Sequence, residues 1–581
     1  MNAERLLEHY QRIADAPDAI ARLRRFVLDL AVRGKLVSQN PEDEPASELL
    51  KQIARNKARL VEAGDLRPRE MNDGNELVEP FTIPSGWRWA RLDAVGAIVG
   101  GGTPSAADAG NFAEPGKGVP WLTPADLGVS TDLYISRGFR DLSKKGLRAS
   151  SATLMPTGTV LFTSRAPIGY VAIAANPIST SQGFKSIVPY IADCSRFIAT
   201  AMNAFAPEIN AKAPGTTFKE VSGKIVAGIP FPLPPLAEQH RIVAKVDEMM
   251  ALCDQLEAAR TAKEATRDRL TAASLARLNS PNPETFRDDA RFALEALPAL
   301  TARPDQIKQL RQTILNLAVR GKLVPQDPTD EPAAELLGRI VKERETIVVA
   351  RKIRGATPPS PPSADDEGIH LPSSWRLCSL GQITLITDPN PSHRYPDYSG
   401  GTIPILSTRE FVGDGDWDPS TAKLTTQAFW EFQKEICDFA QGDIIFARKG
   451  RLGLPRFLPP FEKYTFSHTL FSIKPMKGLD PLYLLWLLRR DGVVAWLTNE
   501  MNQNTGVPTL GKAKTERLPI PLPPLAEQQR IVARVEQLMT LCDQLEASLK
   551  SAEEMRKKLL DALLADALAP VDVVAFPEAA E

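Results

Sequence analysis

From Pro232 the chain reads PLPPLAEQHRIVAKVDEMMALCDQLEA, and apolar side chains return behind the proline pair at Ile242, Val246, Met249, Cys253 and Leu256. This alternation of four-residue and three-residue steps is the seam of a coiled coil. The same pattern returns at Ile531, Val535, Leu538, Cys542 and Leu545, and runs on through Leu549, Leu559 and Leu563. Proline is tolerated in a first helical turn, so Pro234–Pro235 and Pro523–Pro524 mark where an extended segment stops and a helix starts. Glu238 and Glu527 then fall beside the positive end of the helix dipole. A helix of about 40 residues spans ~60 Å at 1.5 Å per residue. The stripe is narrow enough for a single partner helix. The expectation is therefore that the two copies pack antiparallel into a stiff rod, the alternative being that each packs only on its own half. The two LAVRGKL segments carry apolar residues at Leu28, Leu30, Ala31, Val32 and Leu36, and at Leu315, Leu317, Ala318, Val319 and Leu323. They are expected to buttress the rod's ends, with the N-terminal segment meeting the C-terminal helix.

Comparing the chain with itself extends the pattern. The helix sequence starting at Pro232 matches the one starting at Pro521 at 21 of 27 positions. Leu23 to Ile53 matches Leu310 to Ile340 at 21 of 31 positions, and IPSGWRWARL (Ile83 to Leu92) is echoed by LPSSWRLCSL (Leu371 to Leu380). The protein is thus two tandem halves, each a helical segment, a linker, a Trp-bearing entry, a module, and the PLPPLAEQ helix. The linkers are rich in Pro, Gly and acidic residues: Gly64 to Pro80 and Arg354 to Gly368, with Asn279 to Asp289 between halves. The first two are expected to be extended or mobile, and the third marks the boundary between halves. The modules, residues 93–228 and 381–517, have drifted apart and share only landmarks. VPWLTPADL sits opposite IPILSTREF, and GTVLFTSRAPIGYVAI opposite GDIIFARKGRLGLPRF. Short β-branched runs beside Gly and Pro read as strands. RFIATAMNAF and PLYLLWLLRRDGVVAWL read as helices, making each module α+β. Helices kept alike and modules allowed to diverge suggest one job done twice and two jobs done once each.

The chemistry narrows the choice. Net charge is −1, so binding to a polyanion must rest on local basic patches. Five cysteines without a CxxC pair read as free thiols of a reducing cytoplasm. The N-terminal residues lack the apolar core of a signal peptide, and no run reaches transmembrane length. The five histidines show no HExxH spacing, and VGGGTPS (Val99 to Ser105) lacks the Lys-Ser/Thr ending of a phosphate loop. DPNP (Asp388 to Pro391) lacks the aromatic fourth residue of an amino-methyltransferase signature. No catalytic or metal-ligating residue is expected. A basic and polar set does recur: Arg165 opposite Arg448, Lys449 and Arg451; Lys185 near the level of His468; Lys219 opposite Lys512; with Arg409 and, in the glycine-rich loop, Thr103. Lys and Arg at such turns neutralise phosphates, while Arg, Ser, Thr and Asn touch base edges. Taken singly, each is equally read as a solvated surface charge.

Two IP(S)xW entries, two divergent modules each ending in PxPPLAEQxRIV, and one LAVRGKL block per half resemble the specificity subunit of a Type I restriction–modification system. The opening LLEHYQRIADAPDAIARLRRFVLDLAVRGKLV resembles the branch with an extended N-terminal region. The resemblance implies a non-catalytic, cytoplasmic, double-stranded DNA-binding subunit. It implies an N-terminal conserved helical region (1–79) and target-recognition domains at 80–231 and 368–520. It further implies a central conserved region (232–367, with helices 235–275, about 303–320 and 333–353) and a C-terminal spacer helix and tail (521–581). The fold so implied is α+β, two α/β domains separated by paired long helices with a pseudo-twofold repeat. No cofactor is expected on this chain. S-adenosylmethionine, ATP and Mg2+ belong to partners, namely two modification (methyltransferase) subunits and the restriction/translocase subunits, with no membrane partner. Open alternatives are a methylation-only or phage-exclusion system, a coiled-coil scaffold that binds only proteins, and an autonomous enzyme. Replacing residues 93–228 with the module of a relative should change one half of the DNA target and leave the other intact, read by mapping methylated sites; loss of both halves would contradict a modular reading.

Overall fold

The computed structural model describes residues 16, 18–64, 77, 79–129, 132–165, 167–214, 219–279, 282, 284–351, 371–394, 396–450, 452–501 and 509–568. The Arg354 to Gly368 linker, most of Gly64 to Pro80 and Arg451 lie outside them. The chain divides into two compact units, residues 1–262 with 553–581, and residues 263–552. Each contains the start of one long helix and the end of the other. Those helices run Leu236–Asn279 and Leu525–Leu568, 44 residues each.

In the first unit, strand Arg88–Arg91 pairs antiparallel with Pro230–Leu233, the segment that leads into the first long helix. Pro230 and Pro232 both lack an N–H and lie two residues apart, so their donorless sides face the same way. Such a strand can pair on one side only, and the sheet stops at two strands. The module adds a five-stranded sheet in the order Gly96–Gly100, Lys185–Pro189, Val160–Ser164, Ile168–Ala174, Tyr134–Ile135. A four-stranded sheet follows in the order Phe112–Ala113, Arg140–Leu142, Val119–Leu122, Ser179–Thr180. Helix Ser195–Lys212 carries the RFIATAMNAF stretch and buries Phe197, Ile198 and Met202 in the core.

The second unit repeats the plan with changes. Arg376–Ser379 pairs with Pro519–Leu522, again with prolines two residues apart. The larger sheet has four strands, in the order Thr384–Thr387, Leu470–Pro475, Ile444–Ala447, Gly453–Phe457. The smaller has three, in the order Lys423–Thr425, Ile403–Leu406, Thr465–Phe466, beside a hairpin of Phe411–Val412 and Asp416–Trp417. The apolar run PLYLLWLLRRDGVVAWL is two helices, Pro481–Leu488 and Asp491–Asn499, broken at Arg490, whose backbone is extended. The break serves a polar link: Arg490 Nε donates to Asn316 Oδ1 at 3.1 Å, and Asn316 donates to Asn279 Oδ1 at 3.0 Å.

The repeated blocks explain one another in this frame. In the first unit the Trp87 indole N–H donates to Glu238 Oε2 at 2.9 Å, and Gln39 donates to Glu238 Oε1 at 2.7 Å. In the second, Trp375 donates to Glu527 at 2.9 Å and Gln326 at 2.6 Å. One carboxylate therefore joins the loop after LAVRGKL, the Trp entry and the PLPPLAEQ helix. Both glutamates are buried, and burial holds each carboxyl above its ordinary range against the opposing pull of the Trp and Gln donors. One turn on, Arg241 pairs with Asp43 at 2.5 Å and Arg530 with Asp330 at 2.6 Å. Gly34 and Gly321 have φ of 66° and 64°, and a Cβ at either would stand 2.4 Å from the Cγ of Pro84 or Pro372. Only glycine meets both demands.

Beyond this node, Ile242 and Val246 enter the core of the first unit together with Val243, and Met249 packs against it. Ile531, Val535 and Cys542 enter the core of the second with Val532 and Met539, and Leu538 and Leu545 pack against it. The apolar stripe is thus wider than the four-three spacing suggests, because a neighbouring row is buried too. Cys253 is also buried, and Leu256 half-buried. At the far ends, Leu560 is buried with Ala16 and Ala19, and Arg22 pairs with Asp561. Helix Ala19–Val32 also reaches the first long helix, where Arg24 pairs with Asp254 at 2.6 Å and Glu257 at 2.7 Å. Helix Pro304–Ala318 repeats this through Arg311, paired with Asp543 at 2.6 Å and Glu546 at 3.1 Å. Near it, Leu275 and Leu278 from the end of the first long helix pack with Ala293 and Leu300.

Glu527→Ala strands the Trp375 N–H in a dry site and should destabilise the second unit by about 1–3 kcal/mol, seen as a lower denaturation midpoint. Lys550→Ala, on the exposed face of the same helix, should shift it by less than ~0.5 kcal/mol.

Candidate DNA interface

In the first module several loops meet at one end of the sheets. Strand Val160–Ser164 delivers Arg165 there: Ser164 N donates to Gly183 O at 2.8 Å, and Val221 N donates to Ser164 O at 2.9 Å. Ser181 N donates to Leu122 O at 2.7 Å, which ties the 181–183 loop to the Thr123–Asp126 turn. That turn is rigid, since buried Asp126 accepts from Thr123 N and Oγ1, both at 2.6 Å, and from Phe139 N at 2.7 Å. The glycine-rich loop has a packing role: a Cβ on Gly101 would stand 1.9 Å from Ser181 O, and one on Gly102 2.3 Å from Ala152 N. Thr103 follows, exposed.

Three of the basic candidates gather around this end. Arg165 Nη1 lies 3.6 Å and Lys185 Nζ 3.8 Å from the Glu220 carboxylate. Lys219 is adjacent in sequence, and its ammonium donates to Asn210 O at 3.2 Å. Glu220, which no sequence signal singled out, is the group that joins them.

The second module keeps the backbone skeleton and changes its side chains. Arg448 N donates to Thr469 O, Leu510 N to Arg448 O and Ser467 N to Leu406 O, each at 2.9 Å. Isolated bridges pair Arg165 with Glu220 and Lys449 with Thr509. Structurally, then, Arg165 corresponds to Lys449, and Arg448 to Ser164. The sheet registers pair Pro189 with Gly96 and Pro475 with Thr384, which makes Phe471 the counterpart of Lys185. His468 corresponds to Gln182. Lys512 opens the short helix Lys512–Glu516, whose counterpart is Gly223–Ala227, so its partner position is Gly223 rather than Lys219. A fixed sequence offset misplaces Arg165 with Lys449 and Lys185 with Phe471 because the connecting loops differ in length, while Gly223 and Lys512 keep the offset of the PLPPLAEQ repeat.

The charges are also held differently. Arg448 is buried, with its guanidinium 4.4 Å from the Phe471 ring centroid. Its Nη1 donates to Asp388 Oδ2 at 2.6 Å and its Nε to Leu510 O at 3.2 Å. It is a fixed group, not a mobile phosphate-seeking one. His393 Nε2 lies 2.9 Å from the same Asp388 oxygen, and the His393 and His468 rings are 6.1 Å apart. Burial, then Lys449, lowers the His468 pKa. Lys449 is half-buried and Arg409 exposed. Arg409 stands on a turn built like Thr123–Asp126, in which buried Glu410 accepts from Ser407 N at 2.7 Å and Oγ at 2.8 Å. The Ser/Thr-x-x-acid spacing in TPAD and STRE is the signal from which these turns were readable. Lys512 pairs with Glu516 at 3.7 Å along its own helix.

Each module thus presents a loop cluster in which cations, hydroxyls and carboxylates stand together, the chemistry suited to phosphates and base edges. A family model described as the Type I restriction modification DNA specificity domain matches residues 84–266 and again 372–553. The specificity subunit of the Type I restriction enzyme EcoEI from Escherichia coli is 29% identical over 583 residues, covering 94% of both chains. That of EcoAI, also from Escherichia coli, is 28% identical, covering 94% of this chain and 93% of the relative. The crystal structure of the HsdS subunit from Thermoanaerobacter tengcongensis covers 86% of this chain and 99% of its own at a TM-score of 0.40 and 20% identity. The two family matches take in both modules, both Trp entries and most of both long helices, and the chain belongs to the Type I restriction–modification DNA specificity family.

Proposed function

We propose that this protein is the non-catalytic specificity subunit of a Type I restriction–modification complex, in which each module reads one half of a bipartite, asymmetric DNA target. The observation that carries this is a duplicated frame bearing two unlike loop clusters. The Trp–Glu–Gln node, the paired arginines and the proline-bearing strands recur in both halves. The residues at the loop ends do not. Equal frames suit two copies of one modification subunit, and unequal loop clusters suit a target without twofold symmetry. The long helices act as spacer between the half-sites.

Adenine-N6 methyl transfer from S-adenosylmethionine and ATP- and Mg2+-dependent translocation and cleavage belong, in this reading, to the modification and restriction subunits. This chain's part is binding. Lys449 and Arg409, together with Arg165, Lys185 and Lys219, supply the positive charge that meets phosphates, while Thr103 and His468 are placed for base edges. Arg448, held by Asp388 and Phe471, orders the second loop cluster. No helix among the described residues is long and apolar enough to cross a membrane, and action on chromosomal DNA places the complex in the cytoplasm.

The test is to express the chain with its modification subunits and map methylated adenines genome-wide. Two short, unrelated sequence elements separated by a fixed unread gap are expected, whereas a single continuous or palindromic motif would contradict the proposal. Lys449→Gln should weaken binding across all sequences, with the salt slope of log K shallower by about 1. The half-site of the first module should stay unchanged in the methylation map.

A further inference from the structure

The carboxylates at the two loop clusters are the groups that a phosphate-binding surface does not need. A negative side chain among cations opposes a polyanion, and in a site built only for affinity it would be a defect. Yet both modules have one, and the two come from different places. Glu220 lies in the segment that bridges Arg165, and its counterpart in the second module is Thr509. Asp388 follows the strand Thr384–Thr387, on a different segment of the chain, and reaches the same cluster through Arg448. The two carboxylates therefore stand at different positions of the shared skeleton and hold different cations.

The two are held with unequal strength. Asp388 is 16% exposed and bonded to Arg448 at 2.6 Å. Glu220 is 47% exposed and stands 3.6 Å from Arg165 and 3.8 Å from Lys185. Pairs as open as those of Glu220 contribute roughly 0–1 kcal/mol, little enough for a phosphate to displace the carboxylate. The cations are less open than the carboxylate, Arg165 being 34% exposed. Lys185 is 18% exposed within its strand, and Arg165 follows a strand buried along its whole length. The charge free to be exchanged in the first module is Glu220.

We infer that Glu220 is a positioning residue that determines specificity: it occupies Arg165 and Lys185 in the free protein, so that they engage DNA only where a correct half-site seats the module closely enough for a phosphate to take its place. Asp388, by contrast, holds Arg448 in place and is not exchanged. The inference rests on the proposed DNA-reading function. It adds that non-specific affinity is held down deliberately, which matters because non-specific binding is almost wholly electrostatic and competes at every site of a genome.

The experiment uses the full chain assembled with its modification subunits, and fluorescent duplexes carrying either the mapped target or a scrambled sequence, titrated over a range of salt. Glu220→Gln keeps the shape of an exposed side chain and removes its charge. It should bind the scrambled duplex about tenfold more tightly at 0.1 M salt, with a slope of log K against log[salt] steeper by about 1–2 as two cations are released to phosphates. Discrimination between target and scrambled DNA should fall accordingly. Adding Lys185→Gln to that variant should reverse most of the gain. Unchanged scrambled-duplex affinity and slope in Glu220→Gln, or weaker binding to both duplexes, would overturn the inference. Failure of the underlying reading would look different, since the unmodified complex would then not distinguish target from scrambled DNA at all.

Discussion

The structure depends on a buried carboxylate that must be shared. Glu238 and Glu527 each lie at the start of a long helix and each accept from an indole and from a glutamine amide. A buried charge without its donors is costly, and buried donors without their acceptor are nearly as bad. Three segments far apart in sequence are therefore locked to one another in each half, and none can drift alone. That lock gives a physical account of why the LAVRGKL blocks, the Trp entries and the PLPPLAEQ helices remain nearly identical between halves.

The same lock releases the rest of each module. With its base fixed by the node and by the proline-bearing two-stranded ribbon, a module can change side chains at the opposite loops without losing its fold, provided the backbone hydrogen bonds at the strand ends persist. They do persist: Ser164 and Arg448 stand at equivalent positions and accept equivalent bonds. One is a small polar residue and the other a guanidinium stacked on Phe471. Lys185 and Phe471 exchange a charge for a ring at another shared position. The first module binds its cations loosely around Glu220, and the second binds its arginine tightly to Asp388.

Much of this was legible in the sequence, and what was not has physical causes. The long helices were legible from their apolar period, and the strands because their β-branched runs end at glycine and proline. The seam residues Ile242, Val246, Ile531 and Val535, expected to face the other long helix, pack instead into the core of their own half. The stripe's true width was not legible, because Val243 and Val532 fall outside the seam positions yet face the core of their own half. The break in PLYLLWLLRRDGVVAWL was hidden by continuous hydrophobicity; it is set by Arg490 reaching Asn316, a long-range bond. Within the candidate site the cations were legible as residue types, but Arg448 in a glycine-flanked turn reads as exposed and is buried. Its correspondence with Ser164 fails at fixed sequence offset because intervening loops gained or lost residues, whereas Lys512 and Gly223 keep the offset of the PLPPLAEQ repeat. Glu220 and Asp388 had no signature, since their roles come from which cations the fold brings beside them.

The central claim is that the loop clusters carrying Arg165 and Lys449 face DNA while the node-bearing frames hold them in place. Its most direct test is an experimental structure of the chain with its modification subunits on a target duplex. The account predicts DNA within hydrogen-bonding reach of Thr103, Lys185 and Lys219 in one module and of Arg409, Lys449 and His468 in the other, with the Trp87–Glu238 and Trp375–Glu527 bonds intact. DNA seated instead against the two-stranded ribbons, with both loop clusters in solvent, would contradict it.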